Sequence, residues 1–194
     1  MDGAEEGGIR ILRREVLVKE HYRLERIFFE QSGKGGERQE LRREVYYNGP
    51  GAAVLPLDPS RRTVLLVRQL RIPALVNGDG PKLIETCAGI VEEGDSPAET
   101  VRKEAEQEMG YLLHDIRQVF ALYTSPGASA EKLYFFTARY GAADRVGEGG
   151  GLEGEGESIE VLELPLDEAW RMVEDGEIID AKTVLLLQHL RLAG

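Results

Sequence analysis

The chain has 194 residues, 42% hydrophobic and 30% charged, with a formal net charge of −11 at pH 7; that is room for one good core, or for a domain with a small appendage. The acidic balance argues against nucleic acid or an anionic membrane as the main partner, since either needs clustered Lys and Arg. No stretch is apolar for long enough to span a bilayer, and the opening MDGAEEGG lacks the basic region and apolar core of a signal peptide, so a cytoplasmic protein is expected.

Residues 1–8 read as a flexible acidic tail. Residues 9–31 are rich in β-favouring side chains (Ile9, Ile11, Val16, Val18, Ile27, Phe28, Phe29), and a Gly-Lys-Gly-Gly turn leads to a third extended stretch ending at Val45, Tyr46 and Tyr47. Residues 9–48 are thus expected to form a small antiparallel sheet, marginal alone and in need of a main domain or a second subunit. The glycine turn is no phosphate loop, because the long Gly spacing and the following helix are missing.

Asn48, Gly49, Pro50 and Gly51 mark a boundary, with a main domain expected over 49–194. Residues 52–57 and 63–70 read as a hairpin of buried strands around Asp58, Pro59 and Ser60. The second strand ends in Arg68 and Arg71, which are either solvated or able to bind phosphate by the planar guanidinium fork. Residues 72–81, with Pro73, Asn77, Gly78 and Gly80, read as a loop near a site. The lone cysteine, Cys87, sits in an apolar run with Leu83, Ile84 and Ala88 and is read as a buried thiol; His21, His114 and His189 have no metal-ligand spacing.

Residues 89–111, GIVEEGDSPAETVRKEAEQEMGY, read as a strand end, an acidic loop and a helix. Ser96 is a natural N-cap, Pro97 suits the first helical position, and Glu99 completes a capping box. Ala98, Val101, Ala105 and Met109 share an apolar stripe, with Glu104 and Glu108 one turn apart beside it. Like charges at that spacing cost about 0.2–0.5 kcal/mol, a cost that a cation between them reverses. Hard oxygen ligands suit Mg²⁺ or Mn²⁺. The bland alternative is a solvated face in a helix that also carries Glu99 and Glu106.

Residues 116–124 and 132–139 read as strands joined by a loop that sets Glu131 at a strand start. Residues 141–157 form a long connection whose Gly-Glu-rich part is either an acidic linker or a lid bringing a glutamate to a metal. Residues 158–164 read as a strand, and 167–175 and 181–192 as helices with Trp170, Val173, Val184 and Leu187 in the core. This order of elements implies an α/β sandwich, a mixed sheet flanked by helices.

The run from Gly89 resembles the Nudix box: a Gly, five residues, an acid, seven residues, Arg-Glu, an apolar residue, any residue, two Glu, any residue, Gly and an apolar residue. It stands here as Gly89, Asp95, Lys103, Glu104, Ala105, Gln107, Glu108, Gly110 and Tyr111. Asp95 and Lys103 replace Glu and Arg with charge kept. Gln107 replaces the first Glu of the pair, offers a neutral carbonyl instead of a carboxylate, and by helical angle points away from the Glu104 and Glu108 edge. The segments RREVY (42–46), VRQLR (67–71), VNG (76–78), IETCAG (84–89), SPG (125–127), GGG (149–151), IEVLELP (159–165) and KTVLLL (182–187) look like the GDP-mannose pyrophosphatase branch of the ADP-ribose pyrophosphatase-like Nudix enzymes.

The resemblance implies a Nudix α/β/α sandwich and a small N-terminal antiparallel subdomain that forms a homodimer by reaching across to the neighbour. It implies Mg²⁺, with Mn²⁺ as an alternative, on the Ala88 carbonyl, Glu104, Glu108 and Glu157. Glu131 would be the general base and Glu157 its rival. Tyr22, Arg42, Arg43, Glu44, Arg71, Gly89, Ile90 and Lys182 match substrate-contact positions. The implied reaction is hydrolysis of a nucleotide sugar, GDP-mannose to GMP and mannose 1-phosphate. The alternatives are ADP-ribose hydrolysis to AMP and ribose 5-phosphate, and a Nudix-fold sensor without turnover, which Gln107 invites.

Overall fold

Long strands with few core residues begin the computed structural model, which describes residues 5–33, 35–151 and 158–193. Strands β1 (Glu5–Glu6), β2 (Ile9–Lys19), β3 (Arg23–Ser32) and β4 (Arg38–Tyr47) form an antiparallel sheet in that order. Residues 5–6 of the expected tail pair with Ile9 and Arg10, so the sheet begins earlier than the composition implies. Little apolar surface is buried here, and cross-strand pairs take its place. Arg10 meets Glu30 at 2.8 Å, Arg26 meets Glu44 at 3.0 Å, and the Arg13 guanidinium lies 3.3 Å from the centroid of Phe28. Residues 122–132 belong to this unit rather than to the one formed by 51–121 and 133–194. They dock on β4: the Tyr46 N–H donates to the Ala128 carbonyl at 2.8 Å, and the Ala130 N–H donates to the Tyr46 carbonyl at 2.9 Å.

The second unit is built on a seven-stranded mixed sheet. Its strands are β5 (Gly51–Asp58), β6 (Thr63–Leu70), β7 (Lys82–Glu85), β8 (Cys87–Ile90), β9 (His114–Tyr123), β10 (Lys132–Arg139) and β11 (Glu160–Pro165). The path runs β11-β6-β5-β10-β9, with β10 parallel to β5. The expected hairpin of β5 and β6 is present but pairs only at Leu57 with Val64 and Asp58 with Thr63. It then opens, and β7 pairs with β6 while β8 pairs with β5. Thr86 stands between β7 and β8, and its hydroxyl donates to the Val54 carbonyl inside the split.

Both faces of this sheet are apolar because β5 and β6 alternate. Ala52, Val54, Leu65 and Val67 pack with Val101, Ala105 and Met109 of the helix α2 (Pro97–Glu104) and the turn that continues it. Leu55, Val64 and Leu66 pack with Leu166 and Ala169 of α3 (Leu166–Glu174) and with Leu186 and Leu187 of α4 (Ala181–Ala193). A sheet covered on both faces is the α/β/α sandwich expected. No described helix is long and apolar enough to cross a membrane.

Two local expectations are corrected. The expected loop over 72–81 opens with a helix, Ile72–Asn77, numbered α1. Pro73 lies in its first turn, where a missing N–H costs nothing, and Gly78 closes it at φ 90 in the left-handed region. The residues that suggested a loop are the caps of a short helix. The box helix is not one α-helix to its end either: Ala105–Met109 is a π turn. That wider turn buries Ala105, Glu108 and Met109 together and leaves Glu106 and Gln107 exposed.

Candidate active site

Helix α2 starts as its cap residues dictate. The Glu99 N–H donates to the Ser96 hydroxyl at 3.2 Å, and the Ser96 N–H donates to the Glu99 carboxylate at 2.9 Å. Lys103, in the last turn, reaches back to Asp95 at 2.6 Å, so the two charge-conserving departures from the box pattern face each other in one ion pair.

The helix carries Glu104 to β8. A Cβ added to Gly89 would lie 1.9 Å from Glu104 Oε1, so the carboxylate occupies the space that any other residue at 89 would fill. One turn on, Glu108 is 4% exposed, while Gln107 faces solvent as its helical angle implies. Ala88 and Gly89 are half-buried on β8, and Ile90 ends the strand exposed. Cys87 is fully buried, and burial, then the charges of Glu108 and Glu104, push its thiol well above the ordinary range. Cys87 is therefore the inert core thiol read from its apolar run, and its environment registers both carboxylates.

Arg71 and Lys182, both expected at the substrate, share a partner that sequence reasoning passed over. Glu85, 1% exposed at the end of β7, accepts from Arg71 Nε at 2.6 Å and Nη2 at 2.9 Å, and from Lys182 Nζ at 3.2 Å. Lys182 also donates to Asp180 at 2.6 Å. The other oxygen of Asp180 caps α4, accepting from the Thr183 N–H at 3.0 Å and its hydroxyl at 2.6 Å. The Glu85 bond, partly offset by burial, holds the Arg71 guanidinium above its ordinary range, with Glu108 and Asp180 adding to the rise. Burial pushes the Lys182 ammonium down, and Asp180 and Glu85 more than reverse it. The signal was available: a carboxylate inside an apolar strand run must find cations.

The described part of the connection after β10, residues 140–151, is anchored to the end of the box helix. A 3₁₀ turn at Ala142–Asp144 is followed by bonds from the Gly150 N–H to the Glu108 carbonyl at 2.9 Å and from the Gly151 N–H to the Gln107 carbonyl at 3.2 Å. Gly149, at φ 69, passes so close that a Cβ would lie 2.4 Å from the Glu108 carbonyl oxygen. Glu157, expected as a ligand and rival base, lies outside the described residues, as do Glu153 and Glu155.

The remaining expected residues lie in the first unit. Tyr22 is exposed and its ring stands 5.2 Å from that of Tyr46. Glu131 accepts from Asn48 at 2.8 Å and from the Thr124 hydroxyl at 3.3 Å. Burial, with the neighbouring Tyr22 and Glu131, pushes the Tyr46 hydroxyl up, so Tyr46 joins two residues that the sequence treated apart. Arg42 and Arg43 are exposed on β4, and Glu44 is held below its ordinary range by Arg26.

Residues 47–187 match the NUDIX domain. The chain belongs to the Nudix family. It is 45% identical over 188 residues, 96% of each protein, to the GDP-mannose pyrophosphatase of Cronobacter sakazakii. It is 42% identical over 186 residues, 95% of this chain and 96% of the relative, to the GDP-mannose pyrophosphatase of Escherichia coli O157:H7. The crystal structure of an ADP compounds hydrolase superposes with a TM-score of 0.74 at 19% identity, covering 97% of this chain and 95% of that one, and shares the Nudix fold. Nudix hydrolases work with a divalent metal ion. The donor set suits one: Glu104 seated against Gly89 and Glu108 beside it offer hard carboxylate oxygens. Among the described residues no three His, Cys, Asp or Glu side chains gather around one point.

Proposed function

We propose that this Nudix protein hydrolyses the pyrophosphate bond of a nucleotide sugar, converting GDP-mannose and water to GMP and mannose 1-phosphate. The observation that carries the reading is Glu104 held against Gly89 beside buried Glu108, in a chain that matches GDP-mannose pyrophosphatases along nearly its whole length. A pyrophosphate bridge is negative on both phosphates and repels a nucleophile, so a catalyst must neutralise it and deprotonate water. The Ala88 carbonyl, Glu104 and Glu108 would hold Mg²⁺, with Glu157 as a further ligand; bound there, Mg²⁺ supplies Lewis-acid neutralisation and a more acidic water. Arg71 and Lys182 bind the diphosphate and sugar, and Tyr22, Arg42, Arg43, Glu44, Gly89 and Ile90 complete the substrate contacts. Glu131 takes the proton from water, with Glu157 the rival for that role; general-base help is worth roughly 10²- to 10⁴-fold. The water oxygen attacks one phosphorus, the bridging P–O bond breaks, and two monophosphates leave.

Exposed Gln107 removes the main support for a sensor without turnover, since a side chain facing solvent takes nothing from the Glu104 and Glu108 edge. We also infer a cytoplasmic homodimer formed through the N-terminal sheet, which leaves Ile9, Val16 and Val18 about half exposed. The test is ³¹P NMR of purified protein with GDP-mannose and, separately, ADP-ribose, each with Mg²⁺ and with chelator. Metal-dependent monophosphates formed from GDP-mannose at the higher kcat/KM are expected. The reverse preference assigns the protein to ADP-ribose, and tight binding without product assigns it to the sensors.

A further inference from the structure

We propose that Glu85 is a positioning residue for the reaction, setting the geometry of both substrate cations from beneath; this rests on the pyrophosphatase reading. The Glu85 side chain is 2% exposed and that of Asp180 12%, whereas Arg71 and Lys182 are 39% and 20% exposed. The carboxylates form the floor and the cations stand over it toward solvent. Two positive and two negative charges cancel, so the cluster's role is orientation rather than net attraction.

The bonds close a ring. Glu85 is joined through the chain to Thr86, whose N–H donates to the Thr183 hydroxyl at 2.7 Å. Thr183 donates to Asp180, Asp180 accepts from Lys182, and Lys182 donates back to Glu85. Every member is fixed by two neighbours, and the ring ties β7 to the start of α4. Arg71 hangs from it by the bidentate fork, which uses Nε and Nη2 and leaves Nη1 for a phosphate oxygen. Its backbone is fixed too, by the bond from its N–H to the Pro81 carbonyl at 2.8 Å. A flexible cation bound at rest in this way loses little freedom when substrate arrives.

The test uses the full chain with Mg²⁺ and GDP-mannose, comparing wild type, Glu85→Gln, Arg71→Met and the double variant. Glu85→Gln is expected to raise KM about tenfold with kcat changed less than about threefold, leaving the Mg²⁺ activation constant unmoved. In the Arg71→Met background the same change is expected to add less than about threefold, the coupling of residues that act as one. A full, multiplicative loss in that background, an unchanged KM, or a shifted Mg²⁺ constant would overturn the proposal. If Glu85→Gln has no cooperative urea transition, Asp180→Asn carries the test: KM is expected to rise about threefold in wild type and not in Lys182→Met, and a KM unmoved in both overturns it. Wild-type protein without turnover on any nucleotide sugar defeats the pyrophosphatase reading separately. Calorimetry with inorganic pyrophosphate then reads the positioning, with about tenfold weaker binding to Glu85→Gln expected and equal binding overturning it.

Discussion

Gly89 and Glu104 occupy each other's space: the carboxylate of Glu104 stands where a side chain at 89 would begin, 1.9 Å from an added Cβ. Because the obstructing atoms end a flexible side chain, Gly89→Ala is expected to fold and to push the carboxylate aside. A displacement of about 1 Å at a catalytic ligand costs on the order of 10²-fold. The expected outcome is that loss in kcat/KM with a raised Mg²⁺ activation constant and a nearly unchanged Tm. Full activity in Gly89→Ala would show that the seat of Glu104 is irrelevant to turnover.

Glu104→Gln and Glu108→Gln keep the shape of each side chain and remove its charge. Each is expected to lose most of the turnover, on the order of 10²-fold or more, with an intact fold by circular dichroism. Unchanged turnover at saturating Mg²⁺ in either variant would remove that residue from the metal assignment.

Gly149→Ala is the contrasting case, because the obstruction is the Glu108 carbonyl rather than a side-chain tip and because φ is 69. Backbone strain of this kind costs on the order of 1–3 kcal/mol. A matching fall in the urea midpoint is expected, larger than for Gly89→Ala. Equal stability of the two variants would mean that the glycine segment does not lie against the helix end.

Thr183 is fully buried and is the acceptor for the buried Thr86 N–H. Thr183→Val strands that donor and removes the hydroxyl held by Asp180, at a cost of about 1–3 kcal/mol. Urea denaturation measures it, and a neutral substitution would contradict the bond.

Asp58 closes the β5–β6 turn, and its carboxylate is held well below the ordinary aspartate range by the Ser60 hydroxyl and then by Arg61. A depressed folded value places the charged form's contribution above the unfolded aspartate pKa of about 4 and removes it as pH falls toward the folded value. The stability difference between wild type and Asp58→Ala is therefore expected to be constant above about pH 5 and to shrink below about pH 4. Urea midpoints across that range check it, and a difference that grows on acidification would reverse the sign.

The local sequence determined the capped box helix, the buried hairpin strands and the two-faced sheet, because each is written in spacing: Ser96 to Glu99 for the cap, and alternation in β5 and β6 for the faces. It also marked Glu104, Glu108, Arg71 and Lys182 through their motifs. It misread residues 72–81, where Pro73 and Gly78 serve equally as loop residues and as helix ends, and the π turn, which has no periodicity of its own to announce it. Only the tertiary structure decided which groups share a partner. Glu85 meets Lys182 from 97 residues away, and Asn48 meets Glu131 across 83, through contacts set by sheet order and helix placement. Spacing along the chain reports the face on which a residue stands; the residue it touches follows from how distant elements pack.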